Sequence, residues 1–206
     1  NGTDIAKVNG YAAFKKLELL RKDKRLYFEH IAIGADQSNT AKRTLKVDAD
    51  LFNATLITKV PLNKLDYYFK SLTNRYLNVF DSTYKSSLAT EDLFADFELI
   101  NAQPFLDFFA EGIKVAPHST LHMEIDPLAT KAVSMQAKTD YIDLYGTKLN
   151  DVQVLMNTGA GKLNMVLNVY SLALSDSFVI MQPCISAVAG RNELRYFLSM
   201  NEEAKR

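Results

Sequence analysis

The sequence predicts a mainly β fold: antiparallel strands forming a rolled, taco-like or solenoid-like open sheet with an apolar interior, plus two short amphipathic helices as caps. Three observations predict it. Apolar and polar residues alternate with a period of two along much of the chain. Short polar turns interrupt that alternation about every ten residues. The three- to four-residue spacing of a helix appears in only two segments.

The first alternating segment is Leu45, Val47, Ala49 and Leu51 against Lys46, Asp48 and Asp50, which puts one dry and one wet face on a strand. The device returns as Leu121, Met123 and Ile125 against His122, Glu124 and Asp126, and as Val133, Met135 and Ala137 against Ser134, Gln136 and Lys138. Ile142 and Leu144 follow, then Val152, Val154 and Met156, then Leu163, Met165, Leu167 and Val169. Gly146, Asn150-Asp151 and the run Thr158-Gly159-Ala160-Gly161 separate these strands. Such spacing leaves no room for crossover helices, so a doubly wound α/β fold is excluded and an antiparallel meander, barrel or solenoid-like roll remains.

Two segments keep helical time instead. In residues 61–77, Leu65, Tyr68, Phe69, Leu72 and Tyr76 fall three and four apart behind Pro61, where a missing N–H costs nothing. Residues 104–112 repeat this on a smaller scale, with Phe105, Phe108 and Phe109 on one side and Gly112 as the stop. Between them, residues 81–92 are polar and without period. The expected organisation is therefore 1–80 as strand repeats ending in a helix, 81–92 as a linker or loop, and 93–206 as a short helix followed by strand repeats, with one continuous domain as the alternative. Residues 178–189 carry apolar side chains on both parities, the mark of a strand covered on both faces or paired with sequence outside this chain.

Composition narrows the function classes. Lys plus Arg and Asp plus Glu are equal at 24 each, so no large field draws the chain to nucleic acid. With 48% apolar residues the chain has enough material for a packed interior. No run approaches the roughly 20 apolar residues of a membrane-spanning helix. Cys184 is the single cysteine, which leaves no internal disulfide and no thiolate cage. The chain opens on Asn1-Gly2 with no signal-peptide pattern, and is expected to be a processed or excised piece.

Catalytic signals are weak. His118 and His122 stand four apart, but the alternation of Leu121, Met123 and Ile125 makes that segment a strand and puts His122 on its wet face, so no metal site is expected. The carboxylate pairs Glu91-Asp92, Glu124-Asp126 and Asp140-Asp143 sit at turns or on polar parity, where surface charge that blunts sheet edges explains them better than general acid–base work. Gly159-Ala160-Gly161-Lys162 lacks the Ser or Thr and the helix of a phosphate loop and reads as a hairpin turn. Asn53-Ala54-Thr55 fits a glycosylation acceptor in a short turn. The expectation is a chain with no catalytic residues, no cofactor and no metal. Its site is the apolar face itself: Leu45, Val47, Leu121, Met123, Ile125, Val133, Met135, Val154, Met156, Leu163, Met165 and Leu167. That face is rich in methionine, which tolerates irregular contacts, although an ordinary core explains it too.

The order of these pieces resembles a known family. The run from Leu45 to Val60 leads into the helix beginning Pro61-Leu62-Asn63-Lys64-Leu65; Asp96-Phe97-Glu98-Leu99 leads into Pro104-Phe105-Leu106-Asp107-Phe108-Phe109. Thr120-Leu121-His122-Met123-Glu124-Ile125, Val133-Ser134-Met135-Gln136-Ala137 and the strand from Ile142 to Val154 follow. Over nearly the whole chain this is similar to the TamB family (translocation and assembly module, AsmA-like, DUF490-type), through loose repeat patterns rather than invariant sites. The resemblance implies an internal periplasmic segment of an envelope protein, anchored in the inner membrane through a segment outside these residues. It implies an apolar β-groove serving phospholipid transport or outer-membrane protein translocation and assembly. The implied partners are lipid acyl chains or unfolded outer-membrane β-strands, the remainder of the same polypeptide, and an outer-membrane assembly partner. The competing expectation is a structural or adhesive β-domain with a closed core.

Physics limits how open such a groove can be. If about ten side chains each forgo roughly 1.5–3 kcal/mol of burial, the loss exceeds the ~5–15 kcal/mol stability of a domain. The groove is therefore expected to be filled by lipid, narrowed by a helix such as residues 61–77, or collapsed into a core.

Overall fold

β-branched and aromatic residues alternating with polar ones favour the pleat, and all of the alternating segments are strands. This computed structural model describes residues 9–39, 41–81, 83, 91–129, 132–175 and 177–200. The strands are β1 (Gly10–Arg21), β2 (Lys24–Asp36), β3 (Arg43–Ala49), β4 (Phe52–Thr58), β5 (Leu93–Leu99), β6 (Ile113–Val115) and β7 (Ser119–Ile125). They continue with β8 (Val133–Leu144), β9 (Thr147–Gly159), β10 (Lys162–Ser175), β11 (Phe178–Met181), β12 (Pro183–Gly190) and β13 (Glu193–Met200).

Among the described residues these form one 13-stranded sheet in the order β1-β2-β3-β4-β5-β7-β8-β9-β10-β12-β13, with β6 also paired to β8 and β11 to β10. Every pairing is antiparallel. β1 and β13 are not paired to each other, so the sheet is open. β4 pairs directly with β5, which makes the sheet continuous past the polar segment 81–92; residues 82 and 84–90 lie outside the described residues.

Both helices lie on the same face. α1 (Leu65–Asn74) follows a short 3-10 turn, Leu62–Lys64, so the expected helix over 61–77 is shorter and begins with a tighter coil. Its Tyr68 and Leu72, with Tyr76 just beyond its end, pack with Leu93, Ile125, Val133 and Ala189 over one end of the sheet. α2 (Gln103–Phe109) sits at the opposite end, with Phe108 buried against Leu26, Phe28, Ile31 and Ala49. Of the three phenylalanines expected on its inner side, Phe109 is instead 51% exposed, its ring packed on those of Phe105 and Phe108 at 4.6 and 4.7 Å rather than on the sheet cluster.

A crease crosses the sheet at the α2 end. His118, Asp151 and Gln182 have left-handed φ of 57°, 47° and 50°, and the strand register brings them level with Asp140 and Tyr170. Lys16, at φ 57°, marks the same event in β1. At the crease the buried positions of β2 step by three instead of two, from Phe28 to Ile31, and in β9 the half-buried Leu149 stands three before the buried Val152, while β10 keeps a step of two from Val169 to Ser171. Such irregularities bend strands and re-aim side chains. Beyond it, Ile142 lies opposite Leu149 and Val115, and Leu144 is 41% exposed.

Candidate functional site: the apolar inner face

Residues directly opposite in an antiparallel pair share a face, so the register can be followed across the whole sheet. One row runs Ala35, Leu45, Leu56, Ala95, Met123, Met135, Met156, Met165, Ala187 and Tyr196. Two residues further along each strand, a second row runs Ile33, Val47, Ala54, Phe97, Leu121, Ala137, Val154, Leu167, Ile185 and Leu198. Neither row contains a charged or hydrogen-bonding side chain apart from the Tyr196 hydroxyl. At roughly 4.8 Å per strand each row spans on the order of 40 Å along the sheet.

All twelve residues expected to line the groove lie on this face. They divide into two environments. Ile125 and Val133 are 1% and 2% exposed and, with Leu163 packed beside them, lie under α1. Those residues are core. Leu45, Val47, Leu121, Met123, Met135, Val154, Met156 and Leu167 are half-buried, and Met165 is 36% exposed. They form the floor between the two helices, with Met123 and Met156 touching the cluster beneath α1 and Val47 that beneath α2. A helix therefore narrows the groove at each end, and the middle is neither fully wet nor closed.

The alternation alone did not reveal several members of these rows. Leu56 and Ala54 lie in β4, whose outer parity carries Ile57, and Ala95 and Phe97 lie in β5, whose outer parity carries Phe94, so neither strand shows clean alternation. Ala35 and Ile33 belong to β2, where the crease breaks the period. Only the Phe97 position had a signal, standing between Asp96 and Glu98.

The opposite face is polar over the first strands: Lys46, Thr55, Asp96, His122 and Gln136 form one row. All three histidines pair with carboxylates there: His30 Nε2 with Asp48 at 3.5 Å, His118 Nδ1 with Glu98 at 3.1 Å and His122 Nδ1 with Asp96 at 2.7 Å. Each pair is solvent-exposed, and such pairs contribute about 0–1 kcal/mol. Asn53 sits inside β4 between Asp48 and Glu98, not in a turn. Glu124 faces Phe94 and Ser134, away from any second carboxylate on its cross-strand neighbours. Among the described residues no group of three or more His, Cys, Asp or Glu is placed to hold a metal ion.

A cleft of about 500 Å³ opens beside the start of α1, lined by Val60, Pro61, Lys64, Tyr67 and Glu91. It lies apart from the two apolar rows. Tyr68 borders it and donates its hydroxyl hydrogen to the Glu91 carbonyl at 2.6 Å; burial pushes that hydroxyl up to about 12. Among the described residues no helix is long and apolar enough to cross a membrane. No protein-family profile, curated protein or solved structure matches this chain significantly.

Proposed function

We propose that this chain is a non-catalytic segment of a TamB- or AsmA-like envelope protein whose inner face holds acyl chains or extended apolar polypeptide. One observation carries the proposal: two adjacent apolar rows cross ten strands without interruption while remaining half-exposed between α1 and α2. A face meant only as core would be expected to close, since each large apolar side chain left in water forgoes on the order of 1.5–3 kcal/mol. Apolar ligand laid along the floor recovers that burial and needs no directional partner, which suits rows so poor in polar groups.

The site would act by holding cargo, with no bond made or broken. Residence in the periplasm, anchoring in the inner membrane, continuation of the sheet by the rest of the polypeptide and engagement with an outer-membrane assembly partner belong to the same proposal and follow from the family resemblance. The test is mass spectrometry of lipid extracted from purified protein, with titration of N-phenyl-1-naphthylamine, a dye that fluoresces in apolar sites. Bound phospholipid, and dye displaced by added phospholipid, are the expected results. A lipid-free chain that leaves the dye dark would favour a structural β-domain, a reading that the burial of Ile125 and Val133 beneath α1 supports at that end of the sheet.

A further inference from the structure

Four of the six methionines stand in one line across neighbouring strands: Met123 opposite Met135, Met135 opposite Met156, and Met156 opposite Met165. Opposed Cβ atoms in an antiparallel sheet are about 4.5–5.5 Å apart, so the four thioether side chains stand side by side across the groove floor and form a methionine band. Leucine has nearly the same volume, equal apolarity and better-defined rotamers. What methionine adds is a flexible, polarisable sulfur with a reactive lone pair. Met165 is 36% exposed and Met135 half-buried, while Met123 and Met156 are half-buried against the cluster beneath α1.

We propose that this methionine row is a site of reversible oxidation that sets the groove's affinity for apolar ligand; the inference rests on the groove function proposed above. A hydroperoxide is the oxidant. The thioether sulfur attacks its terminal oxygen, the O–O bond breaks, an S–O bond forms, and water or an alcohol leaves. Sulfur loses two electrons and the peroxide gains them. In the reverse direction a dithiol reductant removes the oxygen as water and becomes a disulfide. Each sulfoxide places a strong hydrogen-bond acceptor on the floor, where the flanking side chains Leu121, Ala137, Val154 and Leu167 carry no donor on one side and the Thr158 hydroxyl, which accepts from the Val133 N–H, is the one donor group beside Met156 on the other. Sulfoxides at Met123, Met135 and Met165 therefore keep water, and a hydrated line then runs through the middle of the apolar face. Met165, the most exposed of the four, reacts first.

The experiment uses the 206-residue chain carrying Cys184→Ser, which removes the one thiol that competes for oxidant. Dye binding is measured before treatment, after hydrogen peroxide, and after methionine sulfoxide reductase with dithiothreitol, with sulfoxides located by peptide mass spectrometry. The expected result is loss of affinity on the order of tenfold or more, restored by reduction. A variant with all four residues changed to Leu is judged against its own affinity before treatment and should lose none of it to peroxide; Met165→Leu alone, the least intrusive change, delays the loss. Undiminished binding with all four sulfoxides in place overturns the proposal, as does equal loss in the four-leucine variant, which would move the effect to Met181 or Met200. Absence of dye binding before treatment removes the groove function and this inference together, whereas the other two results remove the inference alone.

Discussion

The backbone N–H of Asn78 donates to Oδ1 of Asn192 at 2.8 Å, joining the chain just beyond α1 to the turn between β12 and β13, 114 residues away. The Asn192 N–H in turn donates to the Tyr76 carbonyl at 3.3 Å. These bonds hold α1 across the end of the apolar face. Asn192 has a left-handed φ of 64°, which glycine adopts freely. Asn192→Gly therefore keeps the turn and removes one side-chain acceptor. The expected cost is about 0.5–1.5 kcal/mol in urea denaturation. A larger loss in Asn192→Ala would separate turn strain from the lost bond.

Val154 stands in the middle of the second apolar row, opposite Ala137 and Leu167, while its neighbour Gln153 points to the other face opposite Lys138 and Asn168. A lysine at position 154 puts a charge on the groove floor. Val154→Lys should lower dye or lipid affinity by on the order of tenfold or more, and Gln153→Lys should leave it unchanged. Equal effects from the two variants would mean that the inner face is not the binding surface.

Tyr68 supplies a pH dependence whose sign follows from its burial. Desolvation raises the hydroxyl from 10.0 to about 12, so the folded chain holds that proton more tightly than the unfolded chain. Its contribution is fully present below the unfolded value, near pH 10, and is lost as pH rises toward about 12. The size is about 3 kcal/mol, from roughly two pH units of difference. Denaturation followed from pH 9 to 12 should show the stability of Tyr68→Phe falling less steeply than that of the natural chain. At neutral pH the variant should be weaker by about 1 kcal/mol through the lost bond to the Glu91 carbonyl.

Gly112 ends the α2 region with a left-handed φ of +87°, and a Cβ there would lie 2.5 Å from Cε1 of Tyr145. Tyr145 is 79% exposed and its ring can rotate aside while its N–H keeps the 2.9 Å bond to the Gly112 carbonyl, so the positive φ is the larger cost. Gly112→Ala should destabilise the chain by about 1–3 kcal/mol, read from the thermal midpoint.

The β9–β10 turn makes the opposite prediction. Ala160 and Gly161 both have positive φ, 51° and 72°, the pattern of a type I′ hairpin turn. Alanine pays for its Cβ there. Ala160→Gly should stabilise by about 0.5–1 kcal/mol; a drop in the thermal midpoint would show that the turn is less strained than its φ implies.

What the sequence determined by itself was the local half of the fold. A period of two is a property of a single strand, so Leu121, Met123 and Ile125 declare their shared face without reference to any neighbour. Pro61 with Leu65, Tyr68 and Leu72 declares a helix in the same way. Tertiary structure decided the rest, because register is a relation between strands. Only pairing places Met123, Met135, Met156 and Met165 in one line, and only packing puts Ile125 and Val133 under α1 while leaving Met165 open. The crease through His118, Asp151 and Gln182 was invisible for the same reason: a left-handed residue that shifts the buried face by one position is held by its neighbours, and no local preference of histidine, aspartate or glutamine requires it.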